Sequence, residues 1–430
     1  MKSPEVAGMD KEVLFVMYKE NVVGRLWCGM HEEFVFEYSR QWLDSTGSFP
    51  VSLSLPFQDK AFSDQRVRRF FTNLLPEGAL RRITAGRLGI SEDNDFALLK
   101  AIGGECAGAL SVVTQDNTDS AENESGYQLL SKDEITELVS ERNIFSSVAG
   151  RTDARLSLAG VHDKLPVYVD NDRFYLPMGN SPSSHILKFP SRDFRHLPEN
   201  EVFTSLLAKS TGLNVVDVEL RTFGKKSVCL VTRYDRYTDS DGKLMRIHQE
   251  DFCQAMGLSH NTKYEQEGGP GFRDCYNLVT EVSDEPLPDD EQLLKWIVFN
   301  LVSKNADGHA KNLSLVHADG SSTRLAPFYD IVCTGAYGSL DRHLAMRIGK
   351  NADPGHVSAA DWAQLSTEIG VGEKYLLDSV REATEHISDN LAGVADDFKS
   401  RFNDSPVLDT LPPLIRKQAR RTQKLLKAIP

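Results

Sequence analysis

The segment Asn305-Ala306-Asp307-Gly308-His309-Ala310-Lys311-Asn312 sits at a change of pattern. Before it, Glu291 to Ser303 has helical apolar spacing, and after it Leu313-Ser314-Leu315-Val316 is strand-like. Upstream, residues 151–250 carry mostly strand signals. Val167 to Val169 and Arg173 to Leu176 flank Asn171-Asp172, Ile186 to Phe189 follows, and Val216 to Tyr234 reads as a hairpin turning at Gly224-Lys225. A helix from Glu199 to Ser210 interrupts them. Downstream, residues 251–430 are mostly helical, with amphipathic segments near Arg273 to Val282 and from Ala359 onward. A strand-rich part followed by a helix-rich part that carries an acidic loop is the order expected when a nucleotide sits between two lobes. The expected fold class is α+β and bilobal.

Ahead of these lobes lies a smaller α+β module. Val13 to Trp27 alternates around Glu20-Asn21 as a hairpin, Val51 to Leu55 reads as a strand, and Arg66 to Leu88 is helical. Gly103-Gly104 and Gly108 turn the chain into a strand from Ala109 to Val113. Thr114 to Gly126 is polar and patternless, and Ser131 with Glu134 forms a capping-box pattern that opens a helix. The expected division is 1–115 for the module, 116–150 for a linker and helix, 151–250 for the strand-rich part and 251–430 for the helical lobe.

Length and composition agree with several modules: 430 residues, 40% hydrophobic and 26% charged. No run is long and apolar enough for a membrane span, and Met1-Lys2-Ser3-Pro4-Glu5 lacks a secretory apolar core, so cytoplasmic residence without a membrane is expected. The six cysteines lack paired metal-site spacing and read as reduced thiols. A net charge of −13 argues against coating nucleic acid unaided, because such binding rests on neutralising phosphates.

The chemistry that the loop can carry is phosphoryl transfer. That reaction needs a carboxylate to orient an attacking hydroxyl and take its proton, and oxygen ligands to hold Mg²⁺ against phosphates. Asp307 followed by Asn312 has the Asp-to-Asn spacing of the protein-kinase catalytic loop. Asp330, at the end of Leu325-Ala326-Pro327-Phe328-Tyr329-Asp330, suits the second metal-binding position. Taken singly, Asp307-Gly308 also reads as a hairpin turn and Asp330 as a strand end. His309 reads as a structural loop histidine, or else as a ligand or base. Upstream, Ser157-Leu158-Ala159-Gly160-Val161-His162-Asp163-Lys164 is either a plain turn or a small-residue loop aiming N–H groups and an ammonium at phosphates. Lys188 stands on an otherwise apolar strand, where a lysine is costly unless paired or used. Glu201 is placed to pair with it, although a first-turn glutamate also suits the helix dipole.

Taken together, these segments resemble the HipA family of bacterial serine/threonine kinases, the toxin half of HipA–HipB toxin–antitoxin pairs. The resemblance rests also on Phe70-Phe71-Thr72-Asn73-Leu74-Leu75-Pro76-Glu77-Gly78 and Gly103-Gly104-Glu105-Cys106-Ala107-Gly108-Ala109. It extends through His248-Gln249-Glu250-Asp251-Phe252-Cys253-Gln254 and Lys263-Tyr264-Glu265 before Gly268-Gly269-Pro270-Gly271. It implies a protein-kinase-like fold of the PI3/4-kinase type, with ATP and Mg²⁺ as cofactors. It implies Asp307 as catalytic base, Asn312 and Asp330 as Mg²⁺ ligands, and Lys188 on the ATP phosphates. Ala159, Gly160, Val161, His162, Asp163 and Lys164 would cover the phosphates, although the family's loop usually has glutamine where His162 stands. Glu250, Asp251 and Phe252 would form the adenine-binding hinge, with His309, Ala310, Lys311 and Tyr329 completing the nucleotide site. Ser157 would be an autophosphorylation site. The implied partners are a dimeric helix-turn-helix antitoxin of the HipB type, operator DNA mainly through that antitoxin, and a protein substrate such as glutamyl-tRNA synthetase.

Two other readings stay open at this level. A small-molecule kinase of the aminoglycoside-phosphotransferase type shares the bilobal plan and the Asp and Asn roles. A catalytically silent co-regulator would keep the fold and lose the chemistry. The basic tail Arg416-Lys417-Gln418-Ala419-Arg420-Arg421 reads as a solvated helical face or a contact for an anionic partner.

Overall fold

The computed structural model describes residues 12–115, 126–140, 164–318 and 322–427. They build three hydrophobic cores, one in each of three successive parts of the chain.

In the first part, Val13–Tyr18 (β1) and Asn21–Cys28 (β2) form the expected hairpin, with Lys19 at a left-handed φ of 54° in the turn. Phe34–Tyr38 (β3) pairs with β2, and Leu110–Val113 (β4) pairs with β1, so the antiparallel order is β3-β2-β1-β4. Helices Gln65–Thr72, Gly78–Leu88 and Asp95–Ile102 accompany this sheet, and Phe36, Trp42, Phe70 and Phe71 lie in the shared core. The sequence predicts one helical stretch from Arg66 to Leu88. The structure breaks it at Asn73–Glu77, where Pro76 lacks the N–H a continuing helix needs. The predicted strand Val51 to Leu55 is instead a tight turn closed by a Ser52–Leu55 bridge. Tyr38 explains the difference: its hydroxyl donates to the Leu55 carbonyl at 2.5 Å and accepts the Val51 N–H at 2.7 Å, taking the groups a strand partner would use.

The second part is a six-stranded antiparallel sheet. Its strands are Gly126–Leu130 (β5), Lys164–Asp170 (β6), Arg173–Met178 (β7), His185–Lys188 (β8), Val218–Phe223 (β9) and Lys226–Thr232 (β10). Their spatial order is β5-β7-β6-β8-β10-β9. The helix Lys132–Ser140 opens with the expected capping box, in which Ser131 and Glu134 bond each other and each other's backbone N–H. Leu165, Leu187, Val228 and Leu230 alternate into the core, and the helix Leu197–Ser210 crosses from this sheet to the next part.

The third part is helical, built on Phe272–Val282, Pro286–Ser303, Ala359–Ile369, Glu373–Phe402 and Val407–Leu426 around Trp296, Trp362 and Phe398. After the small ribbon Arg236–Thr238 (β11) and Leu244–Arg246 (β12), a three-stranded sheet forms. Its strands are His248–Asp251 (β13), Ser314–Ala318 (β14) and Ser322–Leu325 (β15). Pro286 starts its helix where a missing N–H costs nothing, and Lys304 ends it in a left-handed conformation that throws the chain into residues 305–312. Among the described residues no helix is long and apolar enough to cross a membrane.

Candidate functional site

A cleft of about 1110 Å³, its open mouth included, lies where the three parts meet. Lys188, the last residue of β8, reaches into it from the sheet, in register with Cys229 of β10 and Lys164 of β6. Its ammonium is held by Glu201, from the helix Leu197–Ser210, and by Asp330, from the loop after β15. Burial alone would pull Lys188 down, but Asp330 and Glu201 outweigh it and hold the lysine above its ordinary pKa. Glu201 is raised, chiefly by its own burial. Asp330 adopts a left-handed φ of 55°, an uncommon conformation for a residue other than glycine. The approach to it is pinned by Val216 N–H on the Phe328 carbonyl at 3.0 Å and Phe328 N–H on Asn214 at 2.7 Å.

Facing Lys188 and Asp330 is the 305–312 loop. Asp307 is 45% exposed and its backbone N–H donates to Asn305 at 3.1 Å. Asn312 donates its side-chain N–H to the Asp307 carbonyl at 2.7 Å, which fixes the two residues relative to each other. A Cβ at Gly308 would meet the Asn300 side-chain amide at 2.6 Å, so a larger residue here would have to displace that side chain. The hydroxyl of Tyr264 donates to Asp307 Oδ1, and the buried His309 ring lies 3.7 Å from the same oxygen. Burial lowers the His309 pKa, which favours its neutral form near neutral pH. A histidine held this way by packing, with its ring edge-on to Tyr264 at 4.9 Å, fits the structural role better than that of a base.

The expected site residues therefore divide. Lys164, Lys188, Asp251, Asp307, His309, Lys311, Asn312, Tyr329 and Asp330 all line the cleft. Ser157 and the loop Ala159 to Asp163 lie outside the described residues. Ala310 is fully buried and does not line the cleft. The hinge expectation needs correcting for two residues. Phe252 is packed in the core with its N–H on the Leu313 carbonyl. Glu250 turns away into the N-terminal part, where its carboxylate accepts from Ser52 at 2.5 Å and from the Leu53 N–H at 3.1 Å. Where β10 ends and the chain crosses between lobes, Val231, Thr232, Arg233 and Tyr234 line the cleft instead. Sequence reading saw this stretch only as a hairpin arm. The signal it missed was the polar run Thr232-Arg233-Tyr234-Asp235 following an apolar strand.

The N-terminal part also enters the site, through Asn73, Leu74 and Glu77. Lys311 is buried, donates to Asn73 Oδ1 at 2.7 Å, and is ion-paired with Glu77 Oε1 at 3.1 Å and Asp251 Oδ2 at 3.3 Å. Lys263 reaches Glu77 Oε2 at 2.9 Å. Behind the crossing segment, Glu105 accepts from Arg233 at 3.1 Å, Arg236 at 2.9 Å and Arg246. Asp235 takes Arg233 at 2.6 Å and the Gly108 N–H at 2.8 Å. Gly108 stands at φ 78°, and a Cβ there would meet the Gln249 carbonyl at 2.9 Å.

Comparison with known proteins accounts for both halves. Residues 14–113 match the family described as the HipA N-terminal domain, and residues 156–392 match the HipA-like C-terminal domain. The chain belongs to the HipA family. It is 39% identical over 403 residues to the protein Y4mE of Sinorhizobium fredii, covering 92% of this chain and 95% of that one. It is 30% identical over 375 residues to the serine/threonine-protein kinase toxin HipA of Shewanella oneidensis, covering 84% of each. A chain in the solved complex of HipA, HipB and operator DNA from Shewanella oneidensis MR-1 superposes with a TM-score of 0.83 at 27% identity. That match covers 96% of this chain and 98% of the other. The α+β, kinase-like fold expected from the sequence is thus present, and the expected kinase activity agrees with the name of the Shewanella HipA relative.

Proposed function

We propose that the chain is an ATP- and Mg²⁺-dependent serine/threonine-protein kinase and the toxin of a toxin–antitoxin pair. The observation that carries this reading is the convergence of Lys188, Asp330, Asp307 and Asn312, from two lobes, on one cleft. The residues fit Mg²⁺-ATP. Asp330 and Asn312 offer hard oxygen atoms. Among the described residues no group of three or more His, Cys, Asp or Glu could hold a metal alone, so phosphate and water would complete the set, as Mg²⁺ prefers. When bound, Mg²⁺-ATP supplies the phosphoryl group and the cation that offsets its charge. Lys188 would leave Asp330 for the phosphates, and Lys164 with the preceding Ala159–Asp163 loop would cover them. The segment Val231 to Tyr234 would bear on the base, with Asp251 and Tyr329 deeper in the cleft. Asp307 would orient the acceptor hydroxyl and take its proton. A depression beside the cleft shares Glu77 and Lys263 with it and is lined by Tyr264, giving the acceptor a path to Asp307.

The proposal extends to a dimeric HipB-type antitoxin that carries most operator contacts, in keeping with the net charge of −13 and the solved relative. The substrate would be a translation protein such as glutamyl-tRNA synthetase, and Ser157 would be autophosphorylated. The residue division 1–115, 116–150, 151–250 and 251–430 belongs to the same proposal. Against a small-molecule kinase stands the N-terminal match, and against a silent regulator stands the assembled cleft. Incubation with γ-labelled ATP, alone and with cell extract, should label protein. A labelled metabolite, or no label at all, would contradict the reading.

A further inference from the structure

Glu77 lies in the N-terminal part yet is buried against the catalytic loop. One carboxylate oxygen meets Lys311, the neighbour of Asn312, and the other meets Lys263, the neighbour of Tyr264. Asn312 is tied to the Asp307 carbonyl and Tyr264 to the Asp307 carboxylate. A single side chain thus spans the two segments that hold Asp307 from either side. Asn73, at the C-terminal end of the helix Gln65–Thr72, adds a second grip on Lys311 and is itself fixed by donating to the Arg69 carbonyl at 2.8 Å and the Leu258 carbonyl at 3.0 Å. We propose that Glu77 is a positioning residue of the phosphoryl-transfer site, through which the N-terminal part sets the placement of Asp307.

The physical case rests on cost. Two ammonium groups beside one another in a buried site repel unless a carboxylate lies between them. Burial would raise Glu77, but Lys311 and Lys263 outweigh it and hold the carboxyl at about 2, so it stays charged at any ordinary pH. Neutral glutamine keeps the size and loses the charge. Lys311 would still have Asp251 and Asn73, whereas Glu77 is the single ion-pair partner of Lys263 among the described residues. Release of Lys263 removes the anchor on the N-terminal side of Tyr264, leaving the Glu265 N–H on the Ala345 carbonyl at 3.1 Å and the Glu265–Arg347 pair on the other side, and so loosens one of the two holds on Asp307. The effect falls chiefly on geometry at the base, because the ion pairs of Glu77 go to Lys311 and Lys263 beside the residues that hold Asp307, while the ion-pair partners of Lys188 are Glu201 and Asp330.

The inference rests on the kinase reading, and wild-type transfer from γ-labelled ATP to the extract protein it labels is measured first. Absence of transfer by the wild type would count against that reading. Given transfer, Glu77→Gln should lower kcat about 10- to 100-fold while KM for ATP stays within about twofold, the signature of a displaced catalytic group. Lys263→Met should do the same while leaving the Glu77–Lys311 pair in place. The double variant should be no slower than the slower single one, since both cut the same link. Urea unfolding of each variant gives the folded fraction by which kcat is corrected. A corrected kcat equal to wild type in both single variants, or fully additive losses in the double, would overturn the inference.

Discussion

Lys188 and Asp330 are ion-paired across the cleft, one at the end of β8 and the other in the loop beyond β15. Burial pulls the Lys188 pKa down, and Asp330 together with Glu201 outweighs it and holds the lysine above its ordinary value. Asp330→Asn should weaken Mg²⁺-ATP binding by about tenfold or more, because a metal ligand acts already in the ground state. Calorimetry with and without Mg²⁺ checks this: the loss should appear only with the cation present. Equal affinity for wild type and variant in Mg²⁺ would remove Asp330 from that role.

Glu105 is a buried carboxylate that answers three arginines, Arg233, Arg236 and Arg246. Burial would raise it, yet these arginines hold it at about 2. Its folded-state value lies below the ordinary one of 4.5, so its stabilisation is complete above about pH 4.5 and is lost as pH falls toward 2. Glu105→Gln would leave buried arginines short of a partner and should cost about 3–5 kcal/mol. Urea unfolding at pH 7 measures the loss, and the variant's stability should fall less steeply than wild type's between pH 5 and pH 3.

Lys164 is pushed down to about 8 by burial, with Asp330 opposing and Lys188 adding to the shift. Its proton is therefore lost as pH rises through that value, and its attraction for phosphate goes with it. The affinity for Mg²⁺-ATP should weaken by up to about tenfold from pH 7 to pH 9. Lys164→Arg stays charged across that range and should flatten the profile. Parallel profiles for the two proteins would show that another group governs the dependence.

Ser157 is expected to accept a phosphate from the chain's own active site and, once modified, to oppose ATP by like charge, adding about −1.5 to −2 at neutral pH. Peptide mass spectrometry after incubation with Mg²⁺-ATP should find one phosphate on Ser157 in wild type and none in Asp307→Asn. Unchanged ATP affinity in the phosphorylated protein would defeat self-inactivation even with the phosphate present.

What the sequence made legible follows from which signals are local. The order of strands and helices, the capping box at Ser131 and Glu134, and the Asp307-to-Asn312 spacing are readable because each depends on neighbours along the chain. Lys188 stood out as a cation on an apolar strand, and Glu201 is the partner the sequence offered for it, whereas its pairing with Asp330, expected only as a metal ligand, was not foreseen. Long-range pairing was not legible. The family resemblance placed Glu250 in the hinge, but Ser52 and Leu53, almost two hundred residues away, take its carboxylate. Glu77 and Tyr264 were visible as family motifs with no assigned role, since their work depends on contacts with Lys311 and Asp307 that only the fold brings about. Val51 to Leu55 misled for the same reason: Tyr38 captures the backbone groups that a strand would have offered.

The central claim is that Asp307 is the base of a phosphoryl-transfer site, and Asp307→Asn tests it most directly. The substitution keeps the size and removes the proton acceptor. Transfer from γ-labelled ATP to protein should fall by about 10²-fold or more, while calorimetric Mg²⁺-ATP affinity stays close to wild type. A variant that transfers phosphate at the wild-type rate would contradict the account.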